Sequence, residues 1–221
     1  MDYEIKTICT KCGGQLIPDQ DKTIYRCNYC GVAFGSSILF NKEAPKKAKE
    51  SLDAGEFNEA DVWYNCILMR EPDNFEAHLG RIFCAGKWKI MYDFDHATKL
   101  NSVRRERVLE RIEDAIKHTS GKSNEFFTQF KTVIDDLKRL NEIDIKIRPY
   151  KDKQQQLFNK KNELPPQDIE DIAADALVNS ILSAERKMEP LKQRRTQLFN
   201  TFRDSYGILL NMYKEICPPN E

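Results

Sequence analysis

Two cysteine pairs constrain the start of the chain more tightly than any other feature: Cys9-Thr-Lys-Cys12, followed by Gly13 and Gly14, and Cys27-Asn-Tyr-Cys30, followed by Gly31. A Cys-x-x-Cys turn brings two thiolates to one side of a tight loop, and glycine just after it permits the backbone conformation that aims amides at the sulfurs. Two such knuckles with fourteen residues between them make a tetrahedral four-sulfur site, with Cys9, Cys12, Cys27 and Cys30 as ligands. A rubredoxin-like iron site uses similar knuckles, but the spacer is short for one, so a single structural Zn2+ is the expected cofactor. Gln15–Ile17 and Thr23–Arg26 read as strands flanking the turn Pro18–Asp21, and Val32–Phe34 can add a third. The resulting zinc ribbon, residues 1–37, is too small to hold a core unaided, so metal binding supplies much of its folding free energy.

Charge separates the roles open to such a ribbon. Its basic side chains (Lys6, Lys11, Lys22, Arg26) are matched by Asp2, Glu4, Asp19 and Asp21, and zinc with four thiolates carries a further negative charge. Contact with protein, or capping of a neighbouring domain, is therefore favoured over nucleic-acid binding. Over the whole chain 35 Lys and Arg balance 35 Asp and Glu, so any polyanion binding must come from a local patch. The remaining cysteines, Cys66, Cys84 and Cys217, are scattered and do not suggest a disulfide framework; Cys66 and Cys84 lie in apolar helical runs and read as core. No apolar run approaches the ~20 residues needed to span a bilayer, and the opening MDYEIKTIC lacks the features of a signal peptide. The expectation is a cytoplasmic protein with no membrane partner.

After Gly35-Ser36-Ser37 the pattern turns helical. Ala48, Gly55, Ala60, Tyr64 and Pro72 fall where a tetratricopeptide repeat places small, turn, small, aromatic and proline residues. Small residues let two helices approach, Gly55 turns the chain and Pro72 stops the second helix. Phe75-Glu-Ala77-His-Leu79-Gly80 opens a further helix with its small residues out of register, and helical periodicity resumes at Val103, Val108, Leu109, Ile112 and Ile116. Residues 42–120 are thus expected to form a repeat-like helical domain, too short for a long solenoid.

Ribbon followed directly by repeat resembles a family of bacterial multidomain proteins in which these modules precede a signalling domain, often one similar to Toll/interleukin-receptor domains. The resemblance covers roughly residues 5–145 and rests on the two knuckles, the GEFNEA turn and the EPDNFEAHLG stretch. It implies an adaptor-like role. The sequence departs from the family where the effector domain should begin: Ile147-Arg148-Pro149-Tyr150 is followed by Lys-Asp-Lys-Gln-Gln-Gln rather than a hydrophobic strand. No enzymatic activity carries over.

Residues 122–221 read as a long antiparallel helical hairpin of coiled-coil character. Phe126, Phe130, Val133, Leu137, Leu140 and Ile147 make a seam with Asp144 as its one polar intruder, Pro149 is expected to bend or interrupt the rod, and the tip is placed at Pro165-Pro166, with Asp168 capping the return. Met188, Leu191, Leu198, Phe202, Tyr206, Leu209 and Tyr213 continue the apolar stripe on the returning arm, which Pro190 should kink. Two basic clusters, Lys146, Arg148, Lys151 and Lys153 on one arm and Arg186, Lys187, Lys192, Arg194 and Arg195 on the other, fall opposite each other and form either a solvated face or a phosphate- or acidic-partner patch.

No constellation for catalysis stands out. His78, His96 and His118 are isolated, His78 and Cys84 point to different sides of one helix, and Asp93, Asp95 and His96 read as polar surface. The chain is expected to be a mainly α, non-enzymatic interaction module. Candidate partner-binding residues are Phe57, Trp63 and Phe75 in the repeat-like region and Phe202, Leu209 and Tyr213 in the hairpin, where a homodimer through residues 198–216 is expected. The alternative is a nucleic-acid-associated regulator that uses the ribbon and the basic patch.

Overall fold

In a computed structural model the protein is mainly helical, with one small antiparallel sheet at its start. The structure describes residues 7–93, 100–162 and 172–218. The sheet has the order β1 (Leu16–Pro18), β2 (Ile24–Cys27), β3 (Ala33–Gly35), with Leu16 opposite Cys27 and Tyr25 opposite Phe34. Its first turn is held by Asp19, whose carboxylate accepts from the Thr23 amide (2.7 Å), the Thr23 hydroxyl (2.9 Å) and the Ile24 amide (3.1 Å). These strands lie within one residue of where alternation placed them.

Helices α1 (Ser36–Leu39), α2 (Ala44–Ala54), α3 (Phe57–Leu68), α4 (Phe75–Gly86) and α5 (Ser102–His118) follow. Gly55 ends α2 in the left-handed conformation (φ 81°), which glycine adopts without a Cβ penalty. Ala44, Ala48 and Ala60 are wholly buried, so α2 and α3 meet through small side chains. The Asn74 side chain caps α4 by accepting from the Ala77 amide, 2.9 Å, and Asn101 caps α5 in the same way through Arg104. Helix α4 packs on both α3 and α5, which explains why it buries even His78 and Arg81.

Two longer helices complete the chain: α6 (Gly121–Asn162) and α7 (Ile172–Ile216). Pro149 and Pro190 lie inside them, and of the two outcomes expected at Pro149, a bend or an interruption, the interruption does not occur, since helix continues through it. A proline loses one backbone hydrogen bond, and the buried seam next to each, Ile147 before Pro149 and Met188 and Leu198 around Pro190, offsets that loss. The proline tip and Asp168 lie outside the described residues, as do Asp95 and His96.

The chain divides into two compact units, one comprising the described residues up to Lys131 together with those from Leu209 onward, the other Thr132–Ile208. The first holds the ribbon, α1 to α5 and the base of the hairpin. There Phe126, Phe127 and Phe130 are fully buried, with Phe75 5.1 Å from Phe126 and 5.2 Å from Phe127, and Tyr213 6.3 Å from Phe126. The second unit is the paired stretch of α6 and α7. Val133, Leu137, Leu140 and Ile147 on one helix and Ala184, Met188, Leu198, Phe202 and Ser205 on the other are buried at steps of three and four or sums of these, the spacing of a coiled-coil seam.

Candidate metal centre and interaction surfaces

The four knuckle cysteines converge. Their sulfurs all lie within 4.8 Å of one another, with Cys9 3.7 Å from Cys30 and Cys12 3.3 Å from Cys27. Thiolates at ~2.3 Å from a tetrahedral zinc stand ~3.8 Å apart, so the cage is close to the size that ion requires. Gly13 and Gly31 close the two knuckles at φ 74° and 72°, and each donates its amide back to the carbonyl at the start of its own turn, Gly13 to Cys9 and Gly31 to Cys27. The backbone amides of Cys30 and Tyr29 point at the Cys27 sulfur and bring its thiol down to about 6, which favours the thiolate a metal needs. These four cysteines can hold one metal ion, as the spacing predicts.

The cage also belongs to a core. Cys9, Leu16, Cys27, Leu39 and Met69 form one buried cluster, with Tyr25, Phe34 and Phe40 packed against it. Met69 lies just past the end of α3, and its carbonyl accepts from the Ile8 amide at 2.9 Å. The ribbon is therefore joined to the helices by apolar packing and by backbone bonding. Beside the first knuckle a cavity of about 180 Å3 is lined by Cys9 to Gly13 on one side and by Pro72, His78, Asp114, Lys117 and His118 on the other.

Nothing in the sequence singles out the polar groups behind that cavity. His78 and His118, expected to be isolated, are brought together by the packing of α4 on α5: their rings stack with 6.1 Å between centres, and the His78 Nε2 is 2.8 Å from the Pro72 carbonyl. Buried Arg81 donates to Asp61 at 3.0 Å and faces Asp114 at 3.6 Å, while Arg111 reaches Asp61 at 3.2 Å. One charged network thus ties α3, α4 and α5 together. Its members sit one per helix turn among ordinary surface charges, and only the tertiary packing selects them.

The partner-binding candidates separate into three pairs. Phe57 and Trp63 are half-buried and lie under lysine ammonium groups, Lys87 4.8 Å above Phe57 and Lys47 4.9 Å above Trp63, with exposed Val62 beside the latter. Phe75 and Tyr213 are built into the aromatic core at the hairpin base. Phe202 and Leu209 are buried within a single chain, at 4% and 0% exposure. The stripe over 198–216 is covered because α6 lies along it. What α7 leaves exposed there is Phe199 and Ile208.

The basic patch also divides. Arg195 turns into the seam and meets Asp144, the polar intruder, through two hydrogen bonds, one of them 3.3 Å. Lys146, Arg148, Lys151, Arg186, Lys187 and Arg194 are exposed and Lys192 is half-buried. The cross-helix bonds resolve their sides: Ser205 donates to Asp136 at 2.9 Å on one flank of the pair, and Asp144 meets Arg195 on the other. At about 100° per residue, Lys146, Lys187 and Arg194 share the Asp136 flank, Arg148 and Lys192 the opposite one, Lys151 follows the seam, and Arg186 faces outward. Burial pushes the Cys84 thiol up to about 12 and raises that of Cys66 as well, the behaviour of packed rather than reactive cysteines. Among the described residues no helix is long and apolar enough to cross a membrane. No protein-family description, curated protein or solved structure matches this chain.

Proposed function

We propose that the protein is a non-enzymatic interaction module in which one structural zinc ion clamps the ribbon onto a repeat-like helical platform, while the hairpin supplies a docking arm. The observation that carries this reading is the four-cysteine cage inside an apolar cluster with Leu39 and Met69. Four protein thiolates fill the coordination of a tetrahedral zinc and leave no position for water or substrate, which is the signature of a structural site. The surface of α3 around Val62 and Trp63 is the platform's docking face, since an aromatic ring flanked by apolar surface and cations supplies the anchor that peptide recognition needs. Self-association, where it occurs, uses Ile145 and Phe199, exposed at 62% and 42% on the flank shared with Asp144, rather than the buried Phe202 and Leu209.

Metal analysis of purified protein tests the first half, with about one zinc per chain expected; iron with visible absorption, or no metal, would overturn it. A displayed peptide library tests the second. Wild-type protein should enrich a sequence family that Val62→Ser with Trp63→Ser no longer binds while its zinc content and melting are retained, and enrichment of the same peptides by that variant would remove the docking face from α3.

A further inference from the structure

We propose that one flank of the α6–α7 pair is a binding face for the phosphate backbone of a nucleic-acid duplex. Charge segregates across the hairpin in a way that neither helix alone reveals. Taking the buried seam as reference, Arg139, Lys146, Lys153 and Lys160 recur every seventh residue along one line of α6. Lys187 and Arg194 stand on the same flank of α7, also seven apart. All six are exposed. The other residues on this flank over the same span, Ile143, Tyr150, Leu157, Ser183, Pro190, Gln197 and Thr201, include no acid.

The opposite flank carries Arg148 and Lys192 against Asp152, Glu185 and Glu189, and so is close to neutral. In a chain whose charges sum to zero, this sorting makes a one-sided cationic strip. A shallow groove of about 540 Å3 runs along the strip, lined by Lys146, Pro149, Tyr150, Lys153 and Leu191, which places residues of both helices on one wall. Among the described residues only Arg139 of the six has an ion-pair partner, Asp136 at 3.1 Å, and Arg194 bonds the neutral Gln197 at 3.3 Å. The strip is thus a straight row of cations on exposed helix, with a single carboxylate set against it.

The occupant follows from what the strip has and lacks. Four cations at intervals of about 10.5 Å span roughly 30 Å of helix, close to one turn of a nucleic-acid duplex. Protein partners are held mainly by apolar and aromatic anchors, yet the exposed apolar side chains of this region, Ile145, Phe158, Leu182 and Phe199, all fall on the Asp144 side of the seam, away from the strip. Single strands are held by bases stacked on exposed aromatic rings, and the strip's one aromatic ring, Tyr150, is half-buried. A row of cations without anchors or stacking platforms suits a regular phosphate backbone, read by charge and spacing and not by base sequence.

The test uses the full-length, zinc-loaded protein and a fluorescently labelled twenty-base-pair DNA duplex of arbitrary sequence, titrated by anisotropy from 50 to 200 mM salt. Saturable binding that weakens steeply with salt is expected. Lys146→Gln with Lys153→Gln should reduce affinity at least tenfold at 50 mM salt and flatten the dependence of log K on log salt by about two, one for each phosphate that the variant leaves without a cation. Lys187→Gln with Arg194→Gln should do the same from the other helix, so that misfolding of either variant leaves the other to decide. Arg148→Gln with Lys192→Gln removes the same net charge from the opposite flank and should change affinity less than threefold. The proposal is overturned if wild-type protein does not bind the duplex saturably at 50 mM salt, if binding is insensitive to salt, or if substitutions on the two flanks weaken binding equally. A single strand of equal charge binding more tightly, or polyglutamate displacing the duplex at equal charge concentration, would also overturn it, the latter in favour of an acidic protein.

Discussion

Gly80 shows how a single missing methyl group sets the distance between two helices. A Cβ at that position would stand 2.3 Å from the Tyr64 ring, so the ring of α3 lies flat against the backbone of α4. Tyr64 is 8% exposed and burial raises the pKa of its hydroxyl, consistent with a core side chain. Gly80→Ala should cost ~1–3 kcal/mol through overpacking, and Tyr64→Leu in the same chain should recover part of it, both read from urea midpoints. A Gly80→Ala protein as stable as wild type would mean that the helices do not meet there. His78 supplies a pH-dependent test on the same helix. Burial holds its ring below the ordinary 6.5, although the Pro72 carbonyl opposes that shift. Above about pH 6.5 neither the folded nor the unfolded chain protonates this ring; below it the unfolded chain takes the proton first, and stability falls with pH. His78→Gln should therefore lose less stability between pH 7 and 5.5 than wild type, and equal losses in the two proteins would exclude His78 as the titrating group.

At the scale of elements, legibility in the sequence followed the range of the forces involved. Local rules were enough for the knuckles and for the turn at Gly55, because each depends on residues within four positions. The seam of α6 was equally visible as a periodicity. What the sequence could not display was which side chains meet across elements: Asp144 is a flaw in the seam until Arg195 stands beside it, and Phe202 and Leu209 are surplus apolar surface until α6 covers them. Pro149 misleads for the same reason, since propensity weighs one missing hydrogen bond and not the packing that outweighs it. The Asp144–Arg195 pair is about 40% exposed on both sides, so its net contribution is below ~1 kcal/mol. Its value lies in register, because a paired polar contact in an apolar seam disfavours slipped pairings. Asp144→Leu with Arg195→Leu should raise the melting temperature and at the same time broaden the distribution of oligomers seen by sedimentation. A variant that melts lower and sediments as one species would refute that role.

For the molecule as a whole, a metal ion held by the four cysteines would be thermodynamically linked to the helices. The cage shares its cluster with Leu39 of α1 and with Met69 at the end of α3, and Ile8 is bonded to the Met69 carbonyl. No described residue of 132–208 enters that cluster. Removing the ion leaves four thiols closer together than solvated thiolates would stay, so the ribbon should open and uncover Met69 and Leu39. Uncovering two such side chains costs ~3–6 kcal/mol at most. Chelation should accordingly lower the melting of the first unit by several degrees, and hydrogen exchange should speed up at Ile8 and Leu16 and through the last turn of α3. The amides of residues 133–147 and 184–205 should keep their protection, because the buried seam there shares no residue with the cluster at the cage. Cys27→Ser should reproduce the chelated pattern at neutral pH and retain most of its helical signal at low temperature. Uniform loss of protection over both units would mean that the hairpin depends on the metal as well, and unchanged exchange around Met69 would mean that the cage is not what joins the ribbon to the helices.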